Sequence, residues 1–443
     1  MDKKNILKQL STFVSIESVS ADPKRFSEIQ KAVNFLKQKL LSLGFDITLY
    51  EKDDTPPLLV ATRIISETAK TIGVYGHYDV QPEDPVKEWN TQPFELTLKD
   101  HKLWGRGIAD NKGHVWENIT AVEQLIKENK LHNNIIFCLE GEEESGSENF
   151  RVFADQAKET LCKADVFFVT DETMFKKNVP QIGYGLRGLV YFEIEVCIGG
   201  RDLHSGVYGN RVMNPILVLG DLFAKMKNVH TGKILVPGYY DKVRKPSEEE
   251  FMLLAKTQKT EEQEKAEGQL FHLHGVQGVP GYLSAILAPS LDVHGVLSGY
   301  TGAGAKTVIP KSAMMKFSTR LIEYQDPDEI EKMIKEFIKE NMPEGVKYTL
   351  KTLSKDAPFY TNIENEWVKT TAHIFTEIFG NETIFNRSGG SIPAAEILST
   401  LYGKPIVLTG FTLPDDNIHA PNENFDEEMF WKGIVALKKV FSQ

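Results

Sequence analysis

Residues 71–82 read Thr71-Ile72-Gly73-Val74-Tyr75-Gly76-His77-Tyr78-Asp79-Val80-Gln81-Pro82. A short apolar run between polar segments is the pattern of a fully buried strand. This one delivers His77 and Asp79 at its end. The layout recurs: Ile135-Ile136-Phe137-Cys138-Leu139 leads to Glu140, Glu142, Glu143 and Glu144, and Val166-Phe167-Phe168-Val169 leads to Asp171 and Glu172. Pro405-Ile406-Val407-Leu408 leads, through a longer loop, to Asp415, Asp416 and His419. Ligands of open α/β sheets bind at the carboxyl ends of the strands. Four parallel strands would therefore carry these groups to one crevice. Asp110, in the loop Gly105-Arg106-Gly107-Ile108-Ala109-Asp110 ahead of a helical stretch, can join them.

Around these runs the spacing is helical. Ile6, Leu7, Leu10, Phe13 and Val14 share one face, and Ile29, Val33, Leu36, Leu40 and Leu43 share another, closed by Gly44 as a left-handed cap. Further helices are expected at 115–126, 148–158, 365–379, 393–401 and 425–441. Strands alternating with helices predict an α/β fold around a largely parallel sheet. The character changes near Gly188. Val190, Phe192, Ile194, Val196 and Ile198 alternate as in a half-buried antiparallel strand. Residues 211–228 and 327–340 read as helices, 306–321 and 346–353 as strands, and the charged stretch 247–270 as a solvated surface helix. The expected architecture is an α/β domain, 1–187 and 354–443, interrupted by an inserted α+β domain, 188–353.

The chain has 443 residues, 41% hydrophobic and 26% charged, which is globular composition with core enough for two or three domains. Its apolar runs fall far short of the roughly 18 residues that span a bilayer. Met1–Asn5 leads into an amphipathic stretch rather than a signal-peptide core. Three cysteines, Cys138, Cys162 and Cys197, make no disulfide framework, so a cytoplasmic protein away from membranes is expected. The net charge of −11, from 62 acidic against 51 basic residues, disfavours nucleic acid as a partner.

Two histidines with several carboxylates suit Zn²⁺, with Mn²⁺ or Co²⁺ as alternatives. Neighbouring glutamates repel when buried without a cation, and a dinuclear site bridged by one carboxylate relieves that repulsion.

The motifs as a set resemble the M20 family of metallopeptidases, in its carnosinase-like, cytosolic nonspecific dipeptidase branch. They are Gly76–Pro82, Trp104–Gly107 with Asp110–Gly113, Glu140–Glu148, Tyr184–Gly188, Arg201–Gly206, Gly304–Pro310, Gly389–Pro393 and the His419 loop. They follow family order over nearly the whole chain. The resemblance implies a mostly parallel-sheet zinc-peptidase catalytic domain with an inserted lid through which two copies dimerise. It implies that His77, Asp110 and Asp171 hold one divalent ion and Glu144, His419 and the same Asp110 the other. Asp79 would orient His77, and Glu143 would be the general base. The resemblance also implies a cis peptide at Asp110-Asn111, and an oxyanion donor in His204, reaching over from the partner's lid. Arg320, Thr307, Gly390 and Ser391 would bind a dipeptide or similar short peptide.

Two departures fall near the substrate. Ser388 stands where the branch usually has Glu, and Asp356–Tyr360 lacks the histidine of its animal members. The neighbouring readings are deacylation of an N-acyl amino acid and a catalytically silent dimeric binding protein. Gly183–Gly188 fits a dinucleotide glycine pattern but precedes a strand, where that fingerprint must open a helix. Gly302–Thr307 lacks the Gly-Lys-[Ser/Thr] ending of a phosphate loop. His272 and His274 could chelate only weakly, and His101, His114, His132, His230, His294 and His373 have no supporting constellation.

Overall fold

A computed structural model describes residues 1–389 and 392–443, apart from the Tyr282 side chain. The elements used below, in chain order, are α1 (Lys3–Val14), α2 (Phe26–Ser42), β1 (Asp46–Tyr50), β2 (Leu58–Arg63), β3 (Thr71–His77), α3 (Lys112–Lys127), β4 (Asn134–Glu140), β5 (Val166–Thr170) and β6 (Gln181–Leu186). They continue with β7 (Gly188–Cys197), α4 (Pro215–Met226), α5 (Glu248–Ala255), α6 (Glu261–Gly268), β8 (Ser290–Ser298), β9 (Ser312–Leu321), α7 (Pro327–Asn341) and β10 (Lys347–Asp356). The last are α8 (Glu366–Phe379), α9 (Pro393–Tyr402), β11 (Ile406–Thr409) and α10 (Glu427–Phe441).

The chain divides into two compact units. The first holds Met1–Tyr184, Thr361–Asn386 and Ile392–Gln443; the second holds Gly185–Tyr360 and a short segment beginning at Arg387. In the first, the central sheet runs β1-β2-β4-β3-β5-β11-β6. Its middle strands, β4, β3, β5 and β11, are parallel, and the flanking β1, β2 and β6 join antiparallel. Every residue of β3, β4, β5 and β11 is buried. That is why they read as unbroken apolar runs rather than alternating ones. Helices α1, α2, α3, α8 and α10 contribute to the core packed on this sheet; Phe13, Leu36, Trp116, Phe168, Phe375 and Phe411 are all essentially inaccessible. Each such side chain contributes about 1.5–3 kcal/mol through burial. Helix α2 ends as its sequence indicates, with Gly44 at φ +76°.

The second unit is a four-stranded antiparallel sheet in the order β8-β9-β7-β10, with α4 and α7 on one face. Val190, Phe192, Ile194 and Val196 of β7 meet Leu219 and Leu222 of α4 and Ile330, Ile334 and Ile338 of α7. The alternation of β7 records this one-sided burial.

Two local expectations are corrected. The helix expected over 211–228 starts only at Pro215, because proline fits the first helical position but not the interior, and Asn214 caps the Ile216 N–H. Residues 247–270 form two helices rather than one. Thr260 starts α6 with a capping box to Gln263, and α5 has already ended at Ala255. Nor is α5 wholly solvated: Leu254 is buried, and buried Glu250 pairs with Arg244 at 2.7 Å and Arg387 at 3.4 Å.

Candidate metal centre

The carboxyl ends of β3, β4 and β5 and the loop after β11 bring together side chains far apart in sequence. His77 is the last residue of β3; its ring is fully buried, and Nε2 lies 3.0 Å from Asp110 Oδ1 and 3.5 Å from Asp171 Oδ1. His419 Nε2 lies 3.0 Å from the other Asp110 oxygen, Oδ2, and 3.1 Å from Glu144 Oε2. Two clusters result, His77–Asp110–Asp171 and Asp110–Glu144–His419, with ligand atoms in each within 4.8 Å of one another. Asp110 belongs to both, one oxygen toward each histidine. Glu143 stands alongside, its Oε2 4.0 Å from His77 Nε2.

Asp79 fixes two parts of this site at once. Its Oδ1 lies 3.3 Å from His77 Nδ1. The Asp79 carboxylate also accepts from the Glu143 and Glu144 backbone N–H groups at 3.3 and 3.0 Å, and from Ser20 Oγ at 2.6 Å. The turn carrying both glutamates is thereby tied to the residue behind the histidine. Asn111 donates to Asp171 Oδ1 at 2.6 Å, and Gln81 donates to Glu144 Oε2 at 2.8 Å. The Asp110-Asn111 peptide is cis.

Glu423 is the residue that sequence reasoning missed. It is fully buried. Its carboxylate accepts from the backbone N–H groups of Gly107, Ala109 and Asp110 at 2.9, 2.7 and 3.0 Å, and from Arg106 Nη1 at 2.7 Å. One side chain thus folds the Asp110 loop around itself from more than three hundred residues away. An isolated Glu between two asparagines carries no periodicity or motif that would announce this.

Other candidates are drawn elsewhere. Glu140 accepts from Tyr75 and Ser147, Glu142 from Asn149, and Asp416 from the Leu413 N–H. His114 is a core histidine whose Nε2 accepts from the Phe411 N–H at 2.9 Å. In the second unit, His204 pairs in register with Val308, and the Ser205 N–H donates to Thr307 O at 3.1 Å, so His204 and Thr307 are neighbours. Arg320 lies on β9, opposite Leu189 of β7. Gly390 and Ser391 lie outside the described residues.

The electrostatics suit cations. Burial, then repulsion from Asp171, Asp110 and Glu144, pushes Glu143 up to about 9 against the pull of His77. Burial likewise raises Glu144 and Asp171. Hydrogen bonds to Asp110 and Glu144 push His419 up to about 10. Burial opposes ionisation of Asp110, but hydrogen bonds from His419 and His77 outweigh it and hold its carboxyl low. Glu144 Oε1 is buried with no hydrogen-bond partner among the described residues. Four carboxylates gathered around two imidazoles, with an orphan oxygen, fit divalent cations better than a proton-filled polar pocket.

Comparison with known proteins gives concordant results. The profile of peptidase family M20/M25/M40 matches residues 73–443. The Cys-Gly metallodipeptidase DUG1 of Candida albicans is 31% identical, over 98% of this chain and 93% of its own length. The Beta-Ala-His dipeptidase of Homo sapiens is 31% identical, over 87% of this chain and 77% of its own. Among solved structures, the M20 family metallo-carboxypeptidase Sso-CP2 from Sulfolobus solfataricus superposes with a TM-score of 0.81 at 29% identity, covering 100% of this chain and 99% of that one.

Proposed function

The chain belongs to peptidase family M20/M25/M40, and from that premise we propose that it is a dinuclear metallo-dipeptidase acting on dipeptides or similar short peptides. The observation that carries the reading is the pair of three-residue clusters sharing Asp110. His77, Asp110 and Asp171 would hold one ion, and Asp110, Glu144 and His419 the other. Two divalent ions, Zn²⁺ or alternatively Mn²⁺ or Co²⁺, would supply Lewis acidity and a more acidic water at this centre.

The chain's own residues do the rest. Glu143, 4.0 Å from His77 and outside both clusters, takes a proton from the attacking water and returns it to the leaving amine. Asp79 holds the His77 ring and the Glu143-Glu144 turn in one frame. His204, from the lid of a second copy, donates to the developing oxyanion. Thr307, Arg320, Gly390 and Ser391 bind the peptide, with the Arg320 fork on its carboxylate.

The homodimer is supported by the second unit. Edge strand β8 exposes Val296 and Leu297, and Val207 and Leu217 are exposed nearby in sequence to His204 and within α4. Unpaired apolar edges of this kind seek a partner strand. The three cysteines are free, with Cys138 buried, which supports a cytoplasmic setting; no helix among the described residues is long and apolar enough to cross a membrane.

The test is a substrate panel on metal-stripped protein reloaded separately with Zn²⁺, Mn²⁺ and Co²⁺. Dipeptides should be cleaved in preference to N-acyl amino acids and decapeptides. Equal rates on decapeptides would point instead to a carboxypeptidase of longer chains, and faster N-acyl cleavage to a deacylase.

A further inference from the structure

Arg187, just ahead of β7, and Arg320 of β9 meet at one row of the second unit's sheet. Register sets Ser290 of β8 opposite Arg320 of β9, and Arg320 opposite Leu189 of β7. Directly opposed side chains stand on one face with Cβ atoms about 4.5–5.5 Å apart. Arg187, two residues before Leu189, reaches into this row. Its Nη2 donates to Ser290 Oγ at 2.9 Å and to Ala288 O at 3.4 Å. Its Nε is buried and has no hydrogen-bond partner among the described residues.

Arg25, Arg106, Arg151, Arg244 and Arg387 each sit against a carboxylate. Among the described residues, neither Arg187 nor Arg320 has one within 4.0 Å. Asp292, two residues along β8 from Ser290, is held by Lys227 at 3.0 Å. Burial, and after it the charge of Arg320, push Arg187 down to about 10 against the pull of Asp292, so it remains a cation at neutral pH while repelled by its neighbour. Two like charges with no carboxylate in contact, Asp292 acting on Arg187 only from beyond 4.0 Å, are stabilised when an anion enters. A guanidinium pair suits a carboxylate, because each fork can present parallel N–H donors.

We propose that Arg187 is a specificity-determining residue, the second cation beside Arg320 in a two-arginine receptor for the substrate's terminal carboxylate. This rests on the dipeptidase reading above, in which Arg320 alone was given that task. It predicts an enzyme selective for substrates with a free carboxylate.

The experiment measures kcat and KM of metal-loaded protein on a dipeptide and on its C-terminal amide. R187M should cut the carboxylate-over-amide preference in kcat/KM at least tenfold, chiefly through the KM of the dipeptide. R187K, a point charge without the fork, should cut it three- to fivefold. A preference within twofold of wild type in R187M overturns the proposal. If R187M does not fold, as judged by its circular dichroism melt, an unchanged preference in R187K overturns it. A second readout needs no turnover. Arginine Nε resonances, assigned by their loss in R187K and R320K, are followed while acetate is added. Both should shift together and saturate; movement of neither, or of Arg320 alone, overturns the proposal. Should wild type hydrolyse neither substrate, the dipeptidase reading falls, while the acetate titration still decides the arginine pair.

Discussion

At the scale of single residues, the centre depends on carboxylates doing different work in nearly the same place. Glu143 and Glu144 are adjacent, yet only Glu144 joins one of the two candidate clusters. Glu143→Gln keeps shape and removes the proposed proton acceptor, so it should lower kcat by about 10²–10⁴-fold while metal content, read by atomic emission, stays at the wild-type stoichiometry. Unchanged turnover would remove Glu143 from its role. Glu423 should behave oppositely. Its four hydrogen bonds hold the Asp110 loop, and loss of such supporting partners typically costs 10–100-fold in metal affinity. Glu423→Gln should therefore weaken metal binding by about that factor in a chelator competition. Wild-type affinity would mean that the loop holds itself. The contrast also marks what could be read in the sequence. His77, Asp79 and Glu140–Glu144 directly follow apolar runs, so strand ends announce them. Glu423 is bound to its loop only by tertiary hydrogen bonds, which leave no local trace.

At the scale of elements, strands and helices with one strong period were legible, and their interruptions were not. The β3, β4, β5 and β11 runs were plain because both faces are buried. The break between α5 and α6 was hidden because Lys256–Thr260 contains neither Gly nor Pro to punctuate it; only the side-chain cap of Thr260 decides the new start. Helix α3 carries a separate surprise: Glu117 is completely buried, and neither of its oxygens has a hydrogen-bond partner among the described residues. Burial raises its proton affinity well above the usual carboxylate value, so the folded chain holds this proton to higher pH than the unfolded chain does. The unfolded chain ionises it as pH rises past about 4.5 and then binds fewer protons than the folded one, so stability falls with increasing pH by up to about 1.4 kcal/mol per unit. Glu117→Gln removes that term. The melting temperature of the variant should exceed that of wild type by more at pH 8 than at pH 4.5. An equal difference at both would show that Glu117 ionises in place.

At the scale of the whole molecule, the proposed mechanism divides one active centre between two copies. If His204 works in trans, two dead variants can repair each other. Co-expressing H204A with E143Q yields mixed dimers in which the H204A chain keeps its own Glu143 and receives His204 from its partner. With random pairing, half the dimers are mixed and one site in each is whole, so about a quarter of wild-type activity should return. No recovery beyond the separate variants would place His204 in cis or outside the reaction. The inserted second unit was visible in sequence as a change from unbroken apolar runs to alternation near Gly188, because one sheet is covered on both faces and the other on one.

Strand β11 is the last of the central parallel strands in sequence, yet it lies between β5 and β6. As the chain leaves the ribosome, β5 and β6 emerge long before the strand that must separate them, and the whole second unit is synthesised in the interval. The nascent first unit therefore has to wait with a gap in its sheet, exposed to chaperones and to mispairing, until Ile406–Thr409 arrives to close it.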